Sequence, residues 1–190
     1  MLLKMKSEYE GAIAEGARVI FLDEAVFSVN TMLLKSWSSK NHSINIADMR
    51  SKFKTQAVIA GISVDHGLEC YLIYDRSIKK EEFKEFLLKI RDLYPEERIY
   101  LFMDNLVVHK SSYVREVYKE LNLTPIFNVP YSPQYNGIES YWFLLKQHYK
   151  KMILKLMITR TKFDPKTIIK RAIGLVESEK VINCARDGVN

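Results

Sequence analysis

Three carboxylates in this chain stand where a pair of divalent metals could be held. Asp104 directly follows the apolar run Leu101-Phe102-Met103, which reads as a buried strand. Asp23 follows Val19-Ile20-Phe21-Leu22 in the same manner, and Glu139 falls early in a helical segment behind the turn-rich Pro130-Tyr131-Ser132-Pro133. Two strand-end aspartates and a glutamate at a helix start can converge as hard oxygen donors on two cations, and such a pair can cleave and join a phosphodiester. DNA processing is the chemistry these residues suggest. Each also has a plainer reading: Asp104 alone could simply cap the helix that follows it. Glu24 adjoins Asp23, but successive strand residues face opposite sides, so only one of the two can enter a common site.

Positioning these groups requires a sheet with helices around it. Residues 1 to 16 read as a helix stopped at Gly16, and Arg18 to Leu22 as the first strand. Thr55 to Val64 and Leu68 to Tyr74 form a hairpin across the short polar turn Asp65-His66-Gly67. From Lys79 the period becomes helical, with Phe83, Phe86, Leu87, Ile90 and Leu93 on one stripe that ends at Pro95. The predicted order continues with a strand over Arg98 to Met103, a helix over Ser111 to Leu121, a strand over Thr124 to Val129 and a long helix from Asn136 to about Met157. A closing helix is expected from Pro165 to Val181, opened by Asp164. This order predicts an α/β fold with a mixed five-stranded sheet flanked by helices. The first and fourth strands would lie side by side, which brings Asp23 and Asp104 to neighbouring carboxyl ends, where open sheets hold their ligands. Ala25 to Lys54 would then be an insertion, too long for an ordinary loop and therefore a partner-facing or DNA-facing arm.

The 190 residues suffice for one domain, and 47% apolar with 27% charged residues is the composition of an ordinary globular protein. No apolar run reaches the roughly 18 residues of a membrane span, and the first residues lack a secretory pattern, so an intracellular protein without membrane contact is expected. Cys70 and Cys184 have no zinc-ligand spacing and read as separate buried thiols. Charge is distributed unevenly. Between Lys146 and Arg171 nine basic residues face a single acid, Asp164, a local +8 that leaves −2 for the rest of a chain whose total is +6. Such a stretch suits a surface that meets phosphate; the plainer alternative is a solvated helix face.

Taken together, Phe21-Leu22-Asp23-Glu24-Ala25-Val26-Phe27, Met103-Asp104-Asn105 with His109-Lys110, Pro130-Tyr131-Ser132-Pro133 and Asn136-x-x-Glu139-x-x-Trp142-x-x-Leu145-Lys146 resemble the D-D-E transposases of the mariner-type superfamily. The 34 residues between Asp104 and Glu139 are similar to the spacing in that superfamily, and the likeness runs from about Arg18 to Lys155. It implies a ribonuclease H-like catalytic domain over residues 18–158 with the insertion 25–54, an N-terminal helix or linker over 1–17, and a C-terminal basic helix over 159–190 packed on the same domain. The resemblance selects Asp23 over Glu24, and it implies that Asp23, Asp104 and Glu139 bind two Mg²⁺ ions, with Mn²⁺ as substitute. The implied activity is metal-dependent cleavage and strand transfer of double-stranded DNA, transposon ends and target alike, in a cut-and-paste element or a domesticated derivative. Gly137 departs from the family pattern, in which proline commonly follows the asparagine. Glycine gives that helix start more freedom. The family also carries paired helix-turn-helix modules at its N-terminus, for which the 17 residues before the first strand are too few; a catalytic portion or a shortened relative is expected.

Further expectations follow. Lys110, Tyr131, Ser132, Asn136, Lys146, Lys150 and Lys151 are expected to contact DNA, and His109 to lie near DNA or in the metal shell, the plainer reading being a surface histidine at a helix start. Trp142 and its aromatic neighbours read mainly as core. Trp37, a large aromatic within the polar arm, is expected to anchor a homodimer or larger assembly on DNA. The nucleus is the expected location, with a bacterial cytoplasm as the alternative. Two rivals stay open: a nuclease or integrase core on the same fold, and a catalytically silent DNA-binding or assembly protein.

Overall fold

The computed structural model describes residues 1–28 and 55–188. Strands β1 (Arg18–Phe27), β2 (Gln56–Ser63), β3 (Gly67–Tyr74), β4 (Ile99–Met103) and β5 (Leu123–Phe127) form one sheet in the order β3-β2-β1-β4-β5. The β1–β2 and β2–β3 pairs are antiparallel, and β1–β4 and β4–β5 are parallel. This is the mixed five-stranded arrangement expected of a ribonuclease H-like domain. Helices α1 (Leu2–Ala14), α2 (Lys80–Leu93), α3 (Ser112–Glu120), α4 (Ile138–Ile158), α5 (Pro165–Ile173) and α6 (Ser178–Asp187) cover its two faces.

Side-chain alternation along β1 decides what each face holds. Val19, Phe21, Ala25 and Phe27 enter a core shared with Met5 and Ala12 of α1, with Ile138, Tyr141, Trp142 and Leu145 of α4, and with residues of α5 and α6. Ile20 and Leu22 point the other way, against Phe83, Phe86, Leu87 and Ile90 of α2 and Val114 and Val117 of α3. On α4 the buried residues Ile138, Tyr141, Trp142, Leu145, Tyr149, Ile153 and Met157 recur at three- and four-residue steps. That spacing draws one stripe along the helix and leaves the lysines between its members on the outer side.

Three expectations change. β1 does not stop at Leu22, because its ladder with β2 continues through Ala25↔Val58 to Phe27↔Gln56. Asp23 is therefore inside a strand rather than at its end, and the insertion cannot start at Ala25. Residues 29–54 of that arm, Trp37 included, lie outside the described residues. The expected single closing helix is two, α5 and α6, separated at Gly174 through Glu177. Asp164 does cap the first of them, accepting from the Thr167 N–H at 3.0 Å. Leu93, expected on the buried stripe of α2, is 46% exposed, since it is the last residue before the helix unwinds toward Pro95. Cys70 and Cys184 are free and buried. Among the described residues no helix is long and apolar enough to cross a membrane.

Candidate active site

Parallel pairing of β1 with β4 sets Phe21 opposite Phe102; two residues further along the same register, Asp23 comes opposite Asp104. β4 ends at Met103 while β1 runs on. Asp23 thus flanks the gap left by the shorter strand, and Asp104 sits in the first position past it. The odd-numbered parity that carries Phe21 and Ala25 also turns Asp23 toward α4, where Trp142 Nε1 donates to Asp23 Oδ2 at 3.0 Å. Burial, reinforced by the charges of Glu139, Glu24 and Asp104 and opposed by a backbone hydrogen bond at Glu24, pushes the Asp23 carboxyl up to about 7.

Glu24 continues the other parity and meets the α2–α3 side. There its Oε1 lies 3.3 Å from His109 Nε2. The second ring nitrogen, Nδ1, forms an ion pair with Asp104 Oδ1 at 3.0 Å, off the line of an ideal hydrogen bond. His109 is fully buried and stacked on Phe83, with ring centroids 4.6 Å apart. Burial opposes a charge on this ring, but the Asp104 and Glu24 carboxylates outweigh it and raise its pKa to about 9. The imidazolium consequently joins two carboxylates that leave β1 and β4 on different sides. Of the two places expected for His109, near DNA or the metal shell, its full burial leaves it no surface to offer a duplex, and its contact is with Asp104.

Glu139 is the second residue of α4, exposed, in a first turn where the helix dipole favours an anion. Its N–H bonds the Asn136 carbonyl at 3.0 Å. Asp104 and Glu139 line one cleft of about 500 Å³ together with Asn105, Asn128, Tyr131, Ser132 and Asn136. Its far lip is built from Asn128, whose Nδ2 donates to the Ser132 carbonyl at 2.7 Å and whose Oδ1 accepts from the Val129 N–H at 2.7 Å. That clip holds Tyr131 wholly exposed with φ at +57°, a conformation costly for a bulky residue and characteristic of functional loops. Asn136 is buried, and its Oδ1, like that of Asn105, has no hydrogen-bond partner among the described residues.

Among the described residues no three His, Cys, Asp or Glu side chains are gathered closely enough to form a ready cation cage. The expected three-carboxylate cluster is therefore looser than the sequence suggested. Like charges resist contact, and two of the acids are turned to protein partners, Asp23 to Trp142 and Asp104 to His109. The donor set nevertheless fits a hard divalent cation: neighbouring carboxylates whose charges add to the burial that raises Asp23, and two unpartnered amide oxygens in the wall of the cleft. Of the other residues expected at DNA, Lys146 and Lys151 are exposed on α4, Lys150 is half-buried there, and Lys110 sits over the Phe127 ring at 4.8 Å. Sequence reasoning missed three participants. Trp142 was visible as the residue three positions after Glu139, but its indole N–H needed the β1–α4 packing to find Asp23. Glu24 was set aside as the wrong parity, and for His109 the spacing left open DNA or the metal shell without showing the bridge between Glu24 and Asp104.

The pattern for DDE superfamily endonucleases matches residues 18–156. Among solved structures, the Mos1 transposase paired-end complex with left transposon end superposes with a TM-score of 0.65 at 15% identity, over 97% of this chain and 56% of that one. The Mos1 transposase catalytic domain with Raltegravir and Mg gives 0.62 at 13% identity, over 98% and 87%. A simian T-cell lymphotropic virus intasome gives 0.55 at 13% identity, over 82% and 46%. The chain thus spans little more than half of the longer Mos1 transposase it matches. No curated protein sequence matches it significantly. With the family match covering all three carboxylates and the sheet that carries them, the chain belongs to the DDE superfamily endonuclease family.

Proposed function

We propose that this chain is the catalytic domain of a DNA transposase, cutting and joining DNA strands at the cleft between β4 and α4. The observation that supports the reading is that two acids of the family segment share one cleft and the third lies near enough to feel them. Asp104 and Glu139 line a common cleft, and Asp23, at the matching register of the adjacent strand, feels the charge of both. Asp23, Asp104 and Glu139 would hold Mg²⁺ or Mn²⁺, two ions being the number that cleavage and joining use. Cations held there supply Lewis acidity to a scissile phosphodiester. The chain's own part is orientation. Trp142 fixes one oxygen of Asp23, and the Glu24–His109 pair fixes Asp104, leaving their remaining lone pairs for the cleft.

DNA would enter along the basic side of α4, where Lys146, Lys150 and Lys151 neutralise phosphates without reading bases. Tyr131, Ser132 and Asn136 would be the contacts in the cleft and Lys110 a further one, Tyr131 offering an exposed ring on which an unpaired base can stack. Pairing of two such sites on DNA, anchored through Trp37, extends this proposal. The fold likeness to the simian T-cell lymphotropic virus intasome favours, as a second reading, an integrase-type core with the same acids. Incubation with a plasmid and short duplexes carrying free 3′-hydroxyl ends, in Mn²⁺, tests both. Nicking together with joined products is expected; absence of both, with DNA bound, would point to a silent DNA-binding descendant.

A further inference from the structure

The last helix of the chain meets the catalytic helix backbone against backbone. A Cβ on Gly137, the residue just before α4, would overlap the Cys184 carbonyl oxygen and lie 2.9 Å from Ala185 Cα. A Cβ on Gly188, just past α6, would lie 2.5 Å from Gly137 N, 2.8 Å from Gly137 Cα and 3.1 Å from Phe21 Cε1. Both glycines are buried, and their φ values of −55° and −67° are open to any residue. Space, and not backbone freedom, is what glycine supplies here. Gly188 accordingly fills the corner between β1, at Phe21, and the start of α4.

The other end of α6 is seated in the same way. Gly67, in the hairpin turn at φ +75°, would carry a Cβ 3.1 Å from the Ser178 carbonyl, 3.4 Å from Val181 Cβ and 3.5 Å from Ile182 Cγ1. Val181 and Ala185 are buried in the core that holds Tyr141 and Trp142. α6 therefore runs as a strut from the β2–β3 turn to the junction of β1 with α4, two residues short of both Asp23 and Glu139. It lies outside the segment that the family match covers.

Resting on the reading of Glu139 given above, we propose that α6 clamps the start of α4 and so sets Glu139 against Asp23, with Gly137 and Gly188 as positioning residues. Gly137 supplies no side-chain cap, so the helix start is held by the core contacts of Ile138, Tyr141 and Trp142 and by its backbone contact with α6. Glu139 is tied to the preceding turn through a single backbone bond to Asn136. An added methyl at either glycine must push α6 away or tilt the first turn of α4.

The test compares wild type with Gly137→Ala, Gly188→Ala and the control Gly174→Ala, where the nearest atom to a new Cβ is 3.6 Å away. Amide hydrogen exchange of residues 133–143 is read beside that of β2 and β3, and nicking of supercoiled plasmid in Mn²⁺ is read beside plasmid binding. Each clamp variant should speed exchange of 133–143 about tenfold with β2 and β3 unchanged. Each should lower the nicking kcat about tenfold at unchanged plasmid Kd, and Gly174→Ala should match wild type in both. Unchanged exchange at 133–143, an equal rise throughout the sheet, or wild-type nicking despite local opening would overturn the clamp. A wild type that never nicks, with the local exchange response present, would refute the functional reading and uphold the clamp. Should both alanine variants fail to fold, Val181→Ala, which only removes methyls from the buried side of α6, should raise the same local exchange, and no rise would overturn the proposal.

Discussion

Asp23 and Glu139 are held by opposite means. Asp23 lies inside a ten-residue strand, paired there with β2, takes a hydrogen bond from a buried indole, and carries a pKa pushed far from its ordinary range. Glu139 is exposed at a helix start whose place is set by a short turn and by a neighbouring helix packed through glycine. One wall of the site is built into the sheet; the other is leaned against it. Changes at the sheet wall should abolish the chemistry through the charges themselves, and changes at the helix wall should degrade it through geometry.

The largest expected effects remove a carboxylate from either wall. Asp23→Asn, Asp104→Asn and Glu139→Gln should each reduce nicking about 10³-fold or more while the fold persists, as circular dichroism and plasmid cleavage would show. Stability then probes the sheet wall. In EDTA the raised folded-state pKa of Asp23 means that its protonated form stabilises the protein at low pH. That contribution is lost as pH rises from about 4, the unfolded value, through about 7. Asp23→Asn has no such loss, so urea unfolding at pH 8 should find it more stable than wild type by about 2 kcal/mol, a gap that closes at pH 4.

Next in size are the groups that orient the sheet-wall acids. Trp142→Phe keeps the ring in its pocket but takes the donor from Asp23, and should cost about 10- to 100-fold in nicking and about 1 to 3 kcal/mol of stability at pH 8. His109→Asn should cost a similar factor in nicking. It should also erase a pH signature. His109 is raised to about 9, so the stability from its charged form is complete below about 6.5 and is lost as pH climbs through 9. Wild type should weaken over that interval by amounts the variant does not share.

The smallest effect belongs to the outer side of α4. Lys146→Ala and Lys151→Ala should each reduce the slope of log K against log salt by about one and leave sequence preference unchanged, as fluorescence titrations with unrelated duplexes would reveal.

Much of the sheet wall was legible because strand periodicity and parallel register are local properties. Apolar runs leading into Asp23 and Asp104, an Asp-His-Gly turn between two alternating runs, and the α4 stripe all follow from spacing. The extension of β1 to Phe27 was hidden because Glu24 and exposed Val26 interrupt its alternation, and only the β2 ladder restores it. The break between α5 and α6 was hidden for a related reason: Gly174 is a weak stop, and the Gly174–Glu177 linker shows only once both helices pack. Gly137 read as a loss of rigidity, because the sequence shows a missing proline but not the carbonyl of Cys184 lying against that position. His109 read as a surface group because a histidine early in a polar segment has no local sign of the two carboxylates that enclose it.

The central claim is that Asp23, Asp104 and Glu139 act as one divalent-cation site despite their different anchorage. Titration of the chain with Mn²⁺, followed by electron paramagnetic resonance of the free ion, tests it most directly. Saturable binding by wild type, weakened about tenfold or more by each of Asp23→Asn, Asp104→Asn and Glu139→Gln, is the predicted result. Binding that survives Glu139→Gln and Asp23→Asn undiminished, or a wild type that takes up no Mn²⁺, would contradict it.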